Sequence, residues 1–224
     1  MVNGSMTEFT VQGFLAAVAS NEPVPGGGAV AAVAGAAATA LLRMVIALAA
    51  RRAKDPNAQQ TLTALQERAQ ALQKRFEDLA DADVAAYRGV AEVLALPRST
   101  DEESVARSAK LQVALRRAAE VPLETARGAT DALHLAAEVT PLCPRVARSD
   151  LVTAVHLLRA ACESALANVD ANALSLDASP LRRGFARAHT EISNTACALQ
   201  EKLLAPLEEA LGGWRTPPNP PSPA

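Results

Sequence analysis

Pro23-Val24-Pro25-Gly26-Gly27-Gly28, running straight into the small apolar stretch Ala29 to Ala40, decides how this chain is read. Prolines break whatever precedes. The alanine-rich run that follows predicts a helix whose backbone its neighbours approach closely. Three consecutive glycines at such a boundary forfeit more chain entropy on folding than any other residues would. Something must come too near that backbone to tolerate side chains. One reading is a neighbouring helix, since small residues at Gly27, Ala31 and Gly35 recur four apart. The other is a polar ligand meeting the free amides of a helix start. The Lys-Ser/Thr of a phosphate loop and the strand that should precede it are both missing, which argues against a nucleotide.

The same bias extends along the chain. Of its 224 residues 50% are hydrophobic but only 3% aromatic, and roughly a quarter are alanine. Good helix formers abound while strand-favouring residues are scarce. A formal net charge of −2 and a pI near 6.0 leave no basic footprint for nucleic acid. Cys143, Cys162 and Cys197 lack metal-type spacing and read as ordinary thiols of a reducing compartment. The N-terminus carries no secretory pattern, so a cytoplasmic location is expected. Gly26 to Leu42 lacks charge, but its alanine and glycine content and the following Arg43, Arg51 and Arg52 favour a buried helix over a membrane span.

Helices are predicted over Thr7–Ala19 (anchored by Phe9, Phe14 and Val18), Gly27–Arg52, Pro56–Leu94, Asp101–Ala136, Ser149–Leu174 and Pro180–Leu211. Pro122 should kink or break the fourth, and Ser149-Asp150 should cap the fifth. The expected architecture is all-α: one domain over residues 7–212, an up-and-down antiparallel bundle of about six helices. The Pro-rich tail, residues 213–224, should be extended and disordered.

The third helix brings chemistry. Its apolar positions step Leu62, Leu65, Ala69, Leu72, Phe76, Leu79, Ala86, Val90, Val93, and the gap at position 83 is an aspartate. Asp83 therefore faces the core, with Tyr87 one turn on, while Glu77, Asp78 and Asp81 fall off the stripe. A buried carboxylate wants a reason. Either it pairs with Arg43 or another helix, or it lines a pocket and meets a substrate. On the fifth helix the inward stripe ends at Asn172 with Asn168 beside it. His134, His156 and His189 are not grouped as a metal site or triad, so no metal is expected.

Taken in order, Pro23-x-Pro25-Gly26-Gly27-Gly28, the alanine-rich helix ending Met44-Val45, the Asp81-to-Tyr87 segment, Ser149-Asp150 and Asn168-Val169 resemble the cyclodeaminase/cyclohydrolase family of folate enzymes. The resemblance covers about Phe9 to Leu211. It implies an all-α homodimer whose substrate is a tetrahydrofolate derivative, with no prosthetic group. Family members hydrolyse 5,10-methenyltetrahydrofolate or cyclise 5-formiminotetrahydrofolate with loss of ammonia. Carried onto this chain, the resemblance makes Asp83 or Asp81 the catalytic carboxylate; helical phase favours Asp83. It makes Pro25, Gly26, Gly27, Gly28, Tyr87, Ser149, Asp150 and Asn168 substrate-binding. Three positions depart from the family pattern: Ala29 where serine is usual, Ala49 to Lys54 in place of a lysine-bearing segment, and Cys143 to Arg148 in place of an asparagine-rich loop. These losses keep a second reading open, a helical homodimer that has kept the scaffold and lost catalysis.

Overall fold

The computed structural model describes residues 5, 8–177 and 180–212. The predicted tail lies outside these residues. Six α-helices follow one another: α1 (Val11–Val18), α2 (Gly27–Ala50), α3 (Pro56–Leu94), α4 (Asp101–Val139), α5 (Arg148–Leu174) and α6 (Pro180–Gly212). The protein is an all-α bundle, with no strand among the described residues. Helices α2 to α5 form the core, α2 packing on α3 and α5, and α4 closing on both. Helix α6 lies against α5 and α4.

Local chemistry sets the boundaries. Asp55 caps α3 by accepting from Ala58 N, and Pro56 occupies the first turn, where its missing N–H is harmless. Thr100 and Glu103 make a capping box at the start of α4. Helix α1 has no buried residue; Phe9 and Phe14 hold it against Ala29, Ala32, Leu79, Ala80, Val84 and Val121. Val18, expected as a third anchor, is 36% exposed.

Helices α2 and α3 run antiparallel in a register fixed by close approaches. A Cβ on Gly35 would lie 2.5 Å from the Phe76 ring, and one on Gly128 of α4 would lie 3.3 Å from it. The aromatic ring thus fills a notch made by two glycines on two helices. Small residues here serve packing, as one reading of the sequence had it. The buried hydroxyls of Thr39 and Thr125 are satisfied within their own helices by Gly35 O and Val121 O. Helix α2 is long and apolar enough to cross a membrane by length and composition, yet half of its most apolar window is buried inside the bundle.

Two expectations are corrected. Of the kink or break expected at Pro122, the break does not occur: α4 continues from Asp101 to Val139. A proline at 122 cannot donate to the carbonyl of residue 118. That carbonyl instead accepts from Asn172 Nδ2 on α5 at 2.7 Å, so a side chain from another helix replaces the lost backbone bond. Ser149-Asp150 does not cap α5. A 3-10 turn, Arg145–Ala147, runs directly into the helix, which begins at Arg148 with Ala147 at the N-cap and no side-chain cap. Ser149 and Asp150 are already inside its first turn.

Candidate functional site

The start of α2, the second half of α3, the middle of α4 and the end of α5 enclose a cleft of about 550 Å³. Its polar end is built from Gly26, Gly27, Gly28, Asp83, Tyr87, Asn168 and Asn172; its apolar wall includes Ala86, Val90, Leu94, Leu111 and Leu115. Helical phase carries Asp83 to this wall because it occupies an inward seat of the α3 stripe. Asp83 then meets α2 end-on. A Cβ at Gly28 would stand 2.1 Å from Asp83 Oδ1, so only glycine leaves the carboxylate room. The Ala29 backbone N–H donates to that carboxylate. Gly26, the N-cap of α2, has no side chain to cap with, and Asp83 serves an orphan amide of the helix from outside.

None of the described glycines has a positive φ. Their role is therefore space rather than turn geometry. Gly27 makes the same point for Asn168, whose Nδ2 would lie 3.2 Å from a Cβ there. The close neighbours of the run are thus side chains of two other helices, as the packing reading had it, and one of them is a carboxylate on the cleft wall.

Burial pushes the Asp83 carboxyl above its ordinary value, and the Ala29 amide partly opposes this by holding the charged form. Among the described residues, Asp83 and Tyr87 are the titratable groups on the cleft wall, and no lysine, arginine or histidine lines it. The Arg43 pairing is ruled out: its Nη1 donates to Gln73 Oε1 at 2.7 Å. The cleft thus holds a carboxylate with no cationic partner, together with a wall suited to a flat apolar body.

The remaining sequence-predicted residues fall in different places. Pro25 is buried beneath the glycine run, after a cis Val24–Pro25 bond, and is not among the cleft-lining residues. Asp81 turns roughly 200° away from Asp83 around α3; although off the inward stripe, it is half-buried rather than solvated and accepts from Ser5 Oγ at 2.6 Å. Asn168 lines the cleft and donates from Nδ2 to Ser164 O. Ser149 and Asp150 begin α5, about 28 Å of helix from Asn168, and are not among the residues lining the cleft. Among the described residues no cluster of three or more His, Cys, Asp or Glu could hold a metal ion. Sequence reasoning passed over the part played by Asn172, whose signal was the unanswered carbonyl four residues before Pro122.

Residues 10–188 match the sequence profile of the family described as formiminotransferase-cyclodeaminase. The chain is 36% identical over 168 residues to a methenyltetrahydrofolate cyclohydrolase of Methylorubrum extorquens, covering 75% of this chain and 81% of that protein. It is 34% identical over 122 residues to the formimidoyltransferase-cyclodeaminase of Mus musculus, covering 54% of this chain but 23% of that longer protein. In fold it is similar to the crystal structure of a formiminotetrahydrofolate cyclodeaminase from Thermotoga maritima, with a TM-score of 0.79 over 94% of this chain and all of that one, at 24% identity. With the profile spanning most of the bundle and the glycine run meeting Asp83 inside it, the chain belongs to the formiminotransferase-cyclodeaminase family.

Proposed function

We propose that the protein hydrolyses 5,10-methenyltetrahydrofolate to a formyltetrahydrofolate, with Asp83 as its acid–base group. The observation that carries this reading is a carboxylate at the polar end of a cleft whose lining, among the described residues, offers it no cation. The methenyl substrate is a cation, so it supplies the charge that Asp83 lacks. Water attacks the cationic carbon and forms a C–O bond while the Asp83 carboxylate takes its proton. The adduct then collapses: one ring C–N bond breaks, Asp83 returns the proton to the departing nitrogen, and the formyl group stays on the other nitrogen. Over the cycle one water is consumed and one proton released. The upward shift of the Asp83 carboxyl is in the direction that suits a group that must both accept and give a proton. Tyr87 and Asn168 flank the reacting end, and Gly26 to Gly28 let the flat ring approach main chain. The same proton shuttle would serve closure of 5-formiminotetrahydrofolate with loss of ammonia.

Two departures from the family pattern lie off the cleft wall of the protomer, which favours an active site over a degenerate one. The Ala29 side chain is buried in the apolar cluster with Ala32 and Val84, and the 143–148 segment sits at the opposite end of α5. We further propose a cytoplasmic homodimer, without a prosthetic group and with α2 packed in protein rather than in a membrane. The outward stripe of α2, with Val30, Ala37, Ala40, Met44 and Ala47 exposed, offers a seam for a second copy. Ser149 and Asp150 would reach a cleft only from that partner copy. The three cysteines are free, as a reducing compartment keeps them.

The test is decay of the methenyl absorbance. Purified protein should accelerate it, Asp83→Asn should abolish the acceleration, and Asp81→Asn should keep it. No rate above buffer, together with no thermal shift from reduced folates, overturns the reading. Ammonia release from the formimino substrate identifies the alternative reaction.

A further inference from the structure

The cleft has a second end. Beyond Asp83, α3 continues eleven residues to Leu94, about 16 Å of helix, and Leu94, Leu111 and Leu115 carry the wall that far. Arg107 stands one turn before Leu111 on the same face of α4. Its Nη2 donates to the Leu94 carbonyl at 3.0 Å, at the last residue of α3. A cation is thereby fixed beside Leu94, next to the outer end of the cleft though not itself part of its lining. Its Nε is shielded and has no hydrogen-bond partner. The nearest acid on the same face, Glu103, gives its carboxylate to the amides of Ser99 and Thr100 at 2.8 and 3.2 Å. Among the described residues the half-buried guanidinium thus makes one hydrogen bond to a neutral carbonyl and no ion pair. Five donors in a fixed fork are short of an anion.

We infer that Arg107 is a specificity-determining residue that receives the carboxylates of the substrate's glutamate tail. The inference rests on the folate reading of the cleft. In methenyltetrahydrofolate the cationic carbon and the glutamate are separated by an aminobenzoyl ring, a span on the order of 10 Å by covalent bond lengths. That span suits the stretch between the two charged ends once the side chains' own reach is included. The apolar wall between them, Ala86, Val90, Leu111 and Leu115, is the surface an aryl ring wants. Opposite charges at the two ends also fix direction. The cation goes to Asp83 and the tail to Arg107, and the reverse pose would press carboxylates against Asp83.

Steady-state kinetics on 5,10-methenyltetrahydrofolate and on the methenyltetrahydropteroate that lacks glutamate tests this. The wild-type protein should show a KM lower by about tenfold or more for the glutamyl substrate, on the scale of a charge-assisted pair. Arg107→Gln should raise that KM to the pteroate level, leave kcat within about threefold, and leave the pteroate constants unchanged. Arg107→Lys should recover part of the preference. Equal losses on both substrates, with a lowered unfolding midpoint, would assign Arg107 to closing the end of α3 and overturn the inference. So would a wild-type protein indifferent to the tail. A wild-type protein that turns over neither substrate refutes the folate reading itself, which is a separate outcome.

Discussion

Adding a single methyl group at Gly28 should separate activity from stability. The new Cβ would lie 2.1 Å from Asp83 Oδ1, 2.5 Å from Cγ and 2.8 Å from Oδ2. Carbon contacts settle near 3.5–4.0 Å, so the carboxylate must move by roughly 1 Å or more, and a displacement of that size costs about 10²-fold in rate. Asp83 is short, and its Cγ clashes as well, so it can escape only by turning away from the Ala29 amide. Losing that cap costs about 1 kcal/mol, while alanine in place of glycine in a helix returns up to about 1 kcal/mol. Gly28→Ala should therefore lower kcat/KM about 100-fold with an unfolding free energy within about 1 kcal/mol of wild type. The neighbours calibrate it. At Gly27 a Cβ meets Asn168 Nδ2 at 3.2 Å, and at Gly26 the nearest atom is Pro23 O at 3.6 Å, an ordinary contact. Rates from methenyl absorbance and midpoints from thermal unfolding should rank the losses Gly28 > Gly27 > Gly26. Activity of Gly28→Ala within about threefold of wild type, or an equal loss at Gly26, would refute the claim that the run exists to make room for Asp83.

Other outcomes follow from the same geometry. Gly35→Ala should destabilise by about 1–3 kcal/mol, because its Cβ would lie 2.5 Å from Phe76; Phe76→Leu in the same chain should recover part of it in denaturant melts. Asn172→Ala should cost about 1–3 kcal/mol by orphaning the Ala118 carbonyl. In a Pro122→Ala background, where residue 122 can donate again, that cost should shrink, and a double-mutant cycle measures the coupling. Since the Asp83 carboxyl is raised by burial, the native state holds its proton more tightly than the unfolded chain does. That contribution is present below the ordinary carboxylate value and is lost as pH rises through the folded one. Asp83→Asn should thus gain stability relative to wild type as pH rises above the ordinary carboxylate value of about 4; a flat difference across that rise would contradict the shift.

Much of this was legible in the chain because its signals are local. Pro56 and Pro180 mark helix starts that no neighbour overrides. Asp83 could be placed inward because the α3 stripe holds its phase for many turns on either side. What escaped depends on distant partners. The continuity of α4 through Pro122 needs a donor to the Ala118 carbonyl from fifty-four residues further along the chain, and nothing within a helical turn announces it. Ser149-Asp150 has the right residue types for a cap, yet a 3-10 turn leads into α5 one residue ahead of them and leaves both inside the first turn. For Asp81 the phase argument set it off the stripe, but it could not supply the Ser5 hydroxyl that meets it.

The contacts of Gly35 with Phe76 and of Gly28 with Asp83 are both seven residues apart on each helix. Continued the other way, this register sets Leu42 level with Ala69 and Ala49 level with Leu62, all four buried. Every layer along the α2–α3 seam therefore pairs one small residue with one larger one, and the layers recur each heptad. Asp83 is the large member of the last layer. Seen this way the cleft carboxylate occupies the berth that leucine or phenylalanine fills in the layers below. A family built on such a seam could gain or lose its chemistry by exchanging one occupant, without redrawing the bundle around it.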